Sequence, residues 1–202
     1  MARTKDPGLE KRRKESVIAT VLEMLSEGPA TQLSLDRVAK RAGVSKGMVT
    51  YYFQSKDVLL IESIRQYHRQ QEEMLNQIIS MPIPSKDKLL LVIQAAFSSE
   101  GLIKRELRFQ VEVWSYAKQF PEVMEEVSAS YRAFRKTCEG LLKRGIDEGY
   151  VTTTETEWTY RMIHALVDGL SFQVAADPDL NLEELLPRLT SLIETLLGVD
   201  KT

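Results

Sequence analysis

Residues 35–56, which read LDRVAKRAGVSKGMVTYYFQSK, constrain the fold more than any other stretch of this sequence. Apolar residues recur at helical spacing as far as Gly43, which can adopt the positive φ that a tight turn often requires. Ser45 is a good N-cap for a second helix, and Val44 and Val49 are placed to anchor that helix to its neighbours. Two short helices joined by a sharp turn are therefore predicted, the arrangement known as a helix-turn-helix.

The second predicted helix has the size to enter the major groove of DNA, where base edges carry a distinguishable pattern of donors and acceptors. Lys46 is a candidate for a phosphate or a guanine edge, and Gly47 allows the backbone to approach the duplex closely. Met48 and the methyl group of Thr50 suit thymine methyl groups. The alternative interpretation is a plain αα-hairpin inside a helical bundle, which the spacing alone leaves open.

Hydroxyl groups around the motif are further candidates for contacts with the DNA backbone. Tyr51 and Tyr52 can bind phosphates through their hydroxyls, with core packing as the alternative for each ring. Ser34 and Ser45 are predicted helix caps, and the N-terminus of a helix binds phosphate well.

The sequence from Leu9 to about Leu60 resembles the tetracycline-repressor (TetR) family of bacterial regulators. The pattern VSKG, followed by YYF and then SKD, carries the resemblance. It implies a helix-turn-helix that docks on double-stranded DNA. It also implies that Lys56, at the start of a fourth helix, holds a phosphate together with the helix N-terminus.

Charge is distributed unevenly along the chain. Residues 1–56 contain 11 Lys and Arg against 6 Asp and Glu, a net charge of +5, whereas residues 57–202 contain 16 against 23, a net charge of −7. A basic segment joined to an acidic one favours a polyanionic partner at the N-terminal end only.

The 202 residues have an ordinary hydrophobic fraction of 43%, enough for a globular chain with a buried core. No run of eighteen apolar residues occurs and the N-terminus is charged, so we expect neither a membrane span nor a secretory leader. Cys138 is the only cysteine, which rules out an internal disulfide framework and fits a reducing cytoplasm. A buried structural thiol is the expected role for Cys138.

Helix start and stop signals predict an all-α fold of roughly nine helices, with no competing strand pattern. Predicted first residues or caps are Asp6-Pro7, Ser34, Ser45, Ser55, Lys86, Lys104, Pro121, Thr154 with Glu157, and Asn181 with Glu184. Pro187 is expected to kink the last helix or to split it. We predict a DNA-binding domain over residues 1–56 and a larger helical domain over residues 57–202, with the junction along the fourth helix.

The C-terminal part resembles the choline-responsive BetI-like subset of the same family, chiefly through DGLSFQVA at residues 168–175. The resemblance implies a cavity for a small-molecule effector of unknown identity among the middle helices. Candidate lining residues are large and lie mid-helix: Phe97, Phe109, Trp114, Met162, His164 and Phe172. For each of them, core packing is the alternative.

One recognition helix reads too few base pairs for useful selectivity, so a two-fold dimer on a palindromic operator is expected. The last two helices carry more apolar surface than a lone C-terminal helix needs. The candidate seam residues are Leu166, Leu170, Leu185, Leu189, Leu192, Ile193 and Leu196. Packing of these residues in the monomer core is the alternative.

The leading hypothesis is a homodimeric, ligand-responsive transcriptional repressor. No set of residues has metal-ligand spacing, no glycine-rich phosphate loop occurs, and two histidines on separate predicted helices offer little for nucleophilic catalysis. We therefore expect no enzyme, metal site or cofactor. Other possibilities are an adaptor that binds a protein through the 35–53 hairpin, an all-α enzyme with an apolar cavity, and activation in place of repression.

Overall fold

The computed structural model describes residues 7–198, which contain nine α-helices, one short 3₁₀-helix and no β-strand. Asp6, expected to cap the first helix, lies outside the described residues. The helices are α1 Pro7–Glu27, α2 Leu35–Arg41, α3 Lys46–Phe53, α4 Lys56–Ser80, α5 Ser85–Ala96, α6 Glu100–Ala117, α7 Pro121–Asp147, α8 Thr156–Ala176 and α9 Leu182–Leu197. The 3₁₀-helix, Ala30–Gln32, lies between α1 and α2. The predicted all-α fold class is confirmed. None of the described helices is long and apolar enough to cross a bilayer.

Three serine caps begin the helices around the predicted motif. Ser34, Ser45 and Ser55 each accept a hydrogen bond on the side-chain oxygen from the backbone N–H three residues later, at 3.2 Å. Each bond satisfies one of the N–H groups that a helix start leaves without an intrahelical partner. Gly43 has φ +67°, the left-handed conformation that the turn between α2 and α3 was predicted to need.

The later helix starts depart from the sequence prediction at two places. The sixth helix begins at Glu100, four residues before the predicted Lys104, and Ser99 accepts a cap hydrogen bond from Leu102 N–H at 3.2 Å. The capping box predicted for Thr154 is wrong, because α8 begins at Thr156 and its N-cap makes no side-chain hydrogen bond.

The last helix begins as predicted but is not divided. Asn181 caps it by accepting a hydrogen bond from Glu183 N–H at 2.9 Å. Pro187 lies inside one continuous helix, so the predicted split is wrong. Proline removes a single backbone donor near the start of a sixteen-residue helix, and the apolar face of that helix packs on both sides of it.

The described chain forms two compact units, and α4, α6 and α7 each contribute to both. The first unit takes the chain as far as Gln70 together with Arg108–Ser128, and the second takes Gln71–Leu107 and the chain from Ala129 onward. Each unit has its own apolar core. The predicted boundary at residue 56 separates a DNA-binding domain from the rest of the chain. The two compact units do not test that functional division, so it stays a prediction.

The first core joins α1 and the helix-turn-helix to the start of α4 and to parts of α6 and α7. Its most deeply buried members are Val17, Val21, Leu25, Val38, Val49, Phe53 and Val123. The second core is built by α5, α7, α8 and α9, with the remaining parts of α4 and α6. Its most deeply buried members are Phe97, Leu141, Leu142, Ile193 and Leu197. The first core fixes the orientation of α3, the predicted recognition helix.

Candidate DNA-binding surface

One face of α3 is open to solvent and carries four of the nine residues predicted to contact DNA. Lys46, Gly47, Thr50 and Tyr51 are exposed, at the spacing that places them along a single side of a helix. The opposite side is fastened to the first core through Val49, which is fully buried. The helix is therefore anchored on one side while its outer face lies exposed to solvent.

The aromatic residues of α3 divide between surface and core. Tyr51 is 60% exposed and meets Tyr52 edge to face, with ring centroids 5.4 Å apart. Tyr52 is half-buried against the first core and makes a second edge-to-face contact with Phe53 at 6.1 Å. Met48 is also half-buried. Tyr51 thus projects outward on a braced ring, as a phosphate-binding hydroxyl requires.

Lys46 is engaged by a carboxylate that the sequence analysis did not connect to it. Its ammonium lies 2.9 Å from Asp36 Oδ2, and both side chains are more than half exposed. Exposed pairs of this kind contribute about 0–1 kcal/mol to stability. A phosphate can therefore take the place of Asp36 at small cost.

Lys56 begins α4 and is half-buried rather than free. Its ammonium lies 5.2 Å from the centroid of the Tyr116 ring, and the Tyr116 hydroxyl donates a hydrogen bond to Asp57. Burial lowers the pKa of Lys56, and the neighbouring Asp57 carboxylate opposes that change. The predicted phosphate ligand is thus held in place by α6, a contact that sequence spacing does not reveal. Ser34, also half-buried, serves α2 as its cap.

The residues predicted for an effector pocket are divided between the two units, and their role stays a prediction. Phe109 and Trp114 belong to the first unit, where Phe109 is buried and packs on Tyr67 with centroids 4.4 Å apart. The other four belong to the second unit: Phe97 is buried in its core, Met162 and His164 are half-buried, and Phe172 is 53% exposed.

An open groove of about 720 Å³ lies between α5 and α9 in the second unit. Among the predicted pocket residues it contains Phe97 alone. Its lining is Gln94, Phe97, Ser98, Glu183, Leu186, Pro187, Thr190, Ser191 and Glu194. Its volume falls in the range of small-molecule sites.

His164 is enclosed by aromatic rings from α7 and α8. The ring centroids of Tyr131, Phe134 and Tyr160 lie 5.5, 6.2 and 5.3 Å from that of His164. His164 Nδ1 is 3.4 Å from Asp168 Oδ2. The Tyr160 hydroxyl is buried and has no hydrogen-bond partner in the described chain. Buried polar groups without a partner are rare in folded proteins.

The predicted dimer residues divide between core and surface. Leu189 and Ile193 are 3% and 0% exposed within their own chain, so they have no surface to offer a second copy, and their predicted place at the seam is corrected. Leu166, Leu170 and Leu185 are half-buried and pack against the same core. Leu196 is half-buried and Leu192 is 45% exposed.

A second apolar stripe, on α8, was not singled out by the sequence analysis. Trp158, Ala165, Gly169 and Phe172 are exposed and, with half-buried Met162, recur every three or four residues along one side of the helix. Trp158 and Phe172 are each more than half exposed. We call these five residues the α8 stripe.

Catalytic or redox groups find little support among the described residues. No group of three or more His, Cys, Asp or Glu within residues 7–198 is arranged to hold a metal ion. Burial raises the pKa of the Cys138 thiol to about 12, with Glu139 adding to the effect, and the thiolate is the reactive form of cysteine. Cys138 lies in the second core, where burial disfavours its thiolate form.

Comparison with known families decides the identity of this fold. Residues 17–62 match the family described as bacterial regulatory proteins, tetR family, and residues 85–198, more than half of the chain, match the BetI-type transcriptional repressor C-terminal family. The chain belongs to the TetR family. It is a DNA-binding transcriptional regulator with a BetI-type C-terminal part.

Individual relatives agree with the assignment to the TetR family. A fatty acid metabolism regulator protein of Bacillus subtilis is 26% identical over 136 residues, 67% of this chain and 69% of its own length. The transcriptional regulator BetI of Stenotrophomonas maltophilia is 24% identical over 165 residues, 81% of each chain. A transcriptional regulator from Saccharomonospora viridis, solved in complex with choline, shares the fold with a TM-score of 0.81 at 17% identity, covering 91% of this chain and 96% of its own. These relatives are named as regulators and not as enzymes.

Proposed function

We propose that this TetR-family regulator is a homodimeric repressor that binds a palindromic operator and is released from it by a small-molecule effector. The exposed face of α3 is the observation that carries the proposal. It presents a lysine, an open glycine, a threonine and a tyrosine on a helix whose other side is anchored in the first core. Such a helix reads base edges with its face and phosphates with its flanks.

The α8 stripe supports the proposed dimer. The α8 stripe is an exposed apolar row with a large aromatic side chain at each end. Exposed apolar patches of this kind commonly mark interfaces with a partner. Ala165 and Gly169 lie between the aromatics and permit close approach of a second helix. Leu192 of α9 adds a further exposed apolar side chain. A two-fold arrangement would present two copies of α3 to two half-sites.

Substitutions at Lys46 and at its ion-pair partner Asp36 test the proposed DNA contacts. We expect Lys46→Ala to weaken binding to the duplex upstream of the gene about thirtyfold. The reason is that a dimer loses two phosphate contacts, each of about 1 kcal/mol. The slope of log affinity against log salt should fall by about two. Fluorescence anisotropy at several salt concentrations measures both quantities.

Asp36→Asn is the matched control for Lys46→Ala, because it removes the competing carboxylate and leaves the lysine. We expect it to strengthen binding severalfold and to alter thermal stability little, since the pair is exposed. If the unaltered protein shows no preference for its upstream duplex over random duplex at moderate salt, the proposed function is wrong.

The effector site is proposed at the aromatic cluster around His164, because the buried Tyr160 hydroxyl lacks a partner that a ligand acceptor would supply. Choline is a first probe, since a protein of the same fold holds it. A long-chain fatty acid is the second, since a relative is named as a regulator of fatty acid metabolism. An effector that prefers the state with weak DNA affinity releases the operator by its differential affinity for the two states.

Tyr160→Phe tests this site without disturbing the packing. We expect the free energy of unfolding to stay unchanged or to rise by up to about 1 kcal/mol, because phenylalanine removes an unpaired buried hydroxyl. The Tyr160→Phe protein should need an about tenfold higher concentration of the active probe than the unaltered protein for release from the operator. The control is Tyr150→Phe, at an exposed ring of the same unit. An unchanged response in Tyr160→Phe would place the effector elsewhere.

A further inference from the structure

Tyr116 contacts both residues that begin α4, although it lies about sixty positions further along the chain. The Lys56 ammonium is 5.2 Å from the centre of its ring, within the range of a cation–π contact. The Tyr116 hydroxyl donates a hydrogen bond to Asp57 Oδ1. One side chain of α6 thus engages the cation that is proposed to bind a phosphate and the anion next to it.

The Tyr116 ring is itself held by packing on both the first core and a second ring. It is buried in the first core and stacks on Phe120, with centroids 4.3 Å apart and planes 17° from parallel. Lysine, by contrast, carries its charge on a flexible stem. A fixed ring beneath the ammonium limits the positions that the Lys56 charge takes before DNA arrives, so less conformational freedom is lost on binding.

The hydrogen bond to Asp57 has a separate consequence. A carboxylate in the first turn of α4 stabilises the helix, yet it repels a phosphate that approaches the same helix end. While the Tyr116 hydroxyl donates to it, part of the Asp57 charge is offset and its direction is fixed. Without that donor the carboxylate is free to turn toward the phosphate or toward Lys56.

We propose that Tyr116 of α6 is a positioning residue for DNA binding, which fixes the Lys56 ammonium over its ring and holds the Asp57 carboxylate on its hydroxyl. The inference rests on the proposed phosphate contact of Lys56 and adds the residue on which that contact depends. Tyr116 itself touches no DNA. Its effect on affinity therefore passes entirely through Lys56 and Asp57.

A double-mutant cycle tests the dependence on Lys56. We expect Tyr116→Leu to weaken operator binding five- to tenfold in the otherwise unaltered protein. In the Lys56→Ala background the same change should cost only the two- to threefold that loss of the donor to Asp57 accounts for, because the positioned ammonium is already gone. The salt slope of Tyr116→Leu should fall toward that of Lys56→Ala. Anisotropy well below the melting temperature of every variant supplies all four affinities.

The hydroxyl is tested separately from the ring. Tyr116→Phe keeps the ring under Lys56 and removes the donor to Asp57, so we expect a smaller loss, two- to threefold. Asp57→Asn should abolish that loss, because the carboxylate that needs the donor is absent. Tyr116→Phe preserves the shape of the core, which keeps the test interpretable if Tyr116→Leu fails to fold.

Tyr67→Leu is the matched control, since Tyr67 also packs on the first core but contacts Phe109 rather than Lys56. Its effect should be independent of Lys56→Ala. Equal losses for Tyr116→Leu with and without Lys56, together with an unchanged salt slope, would overturn the inference while leaving DNA binding intact. An unaltered salt slope in Lys56→Ala itself would also overturn it. Absence of specific binding by the unaltered protein would be a failure of the proposed function instead.

Discussion

Phe172→Arg should separate the proposed dimer into monomers and reduce operator affinity at least a hundredfold. Phe172 is 53% exposed and lies at one end of the α8 stripe, where a two-fold interface would bury it in both protomers. Loss of an aromatic anchor costs about 2 kcal/mol or more at an interface. A buried, unpaired guanidinium adds several kcal/mol for each copy. A total above about 4 kcal/mol raises the dimer dissociation constant about a thousandfold.

Sedimentation equilibrium and operator titration on the same samples measure this effect. Trp158→Arg, at the other end of the α8 stripe, should act in the same direction. The control is Leu102→Arg, because Leu102 is a comparably exposed apolar residue of the same unit, 44% against 53%, but lies on α6. A Phe172→Arg protein that stays dimeric, or a Leu102→Arg protein that also dissociates, would contradict the seam proposed here.

The last helix, α9, shows what a sequence pattern leaves undecided. Leucine spacing marks Leu189, Ile193 and Leu192 alike as apolar positions of one helix. The first two are buried by their own chain and the third is exposed. The spacing of apolar residues shows which side chains share a face of the helix. Whether a given side chain packs in its own core or is exposed to a partner depends on how α9 is rotated against α5, α7 and α8.

The helix-turn-helix was predictable because its signals are local. Ser34 and Ser45 accept hydrogen bonds from N–H groups three residues away, and Gly43 takes the positive φ of the turn. Such contacts depend only on neighbours in the chain. The same reasoning failed at Thr154, because α8 begins two residues later, with no side-chain cap at all.

The partners of the two lysines were not predictable in the same way. Asp36 and Lys46 lie on different helices and meet through the turn between α2 and α3. Tyr116 reaches Lys56 from α6, about sixty residues away in sequence. A residue type and a helix position identify a phosphate-binding lysine, whereas the groups that compete for it or orient it are fixed by tertiary packing.

Gly145→Ala should lower the free energy of unfolding by about 1–3 kcal/mol, the usual cost of adding a carbon atom to a full core. A Cβ at this position would lie 2.7 Å from Val151 Cγ2 and 3.7 Å from Ser85 Cβ. Val151 is a stiff β-branched residue at 2% exposure. Ser85 is held by Glu148, which accepts its N–H at 2.8 Å and its hydroxyl at 2.9 Å. The new methyl group therefore forces Val151 to shift, while Ser85 closes the space on the other side at ordinary contact distance.

Gly140→Ala provides the control within the same helix, since nothing lies within 4 Å of a Cβ built there. Alanine is the better helix former, so this change should stabilise the protein by up to about 1 kcal/mol. Thermal unfolding at one fixed protein concentration should show Gly145→Ala melting several degrees lower and Gly140→Ala slightly higher, at about 2–4 °C per kcal/mol for a chain of this size. Equal melting temperatures for the two variants would contradict this prediction. They would mean that the Val151 segment shifts away from α7 without a loss of stability, and that the second unit is packed less tightly around Gly145 than the distances indicate.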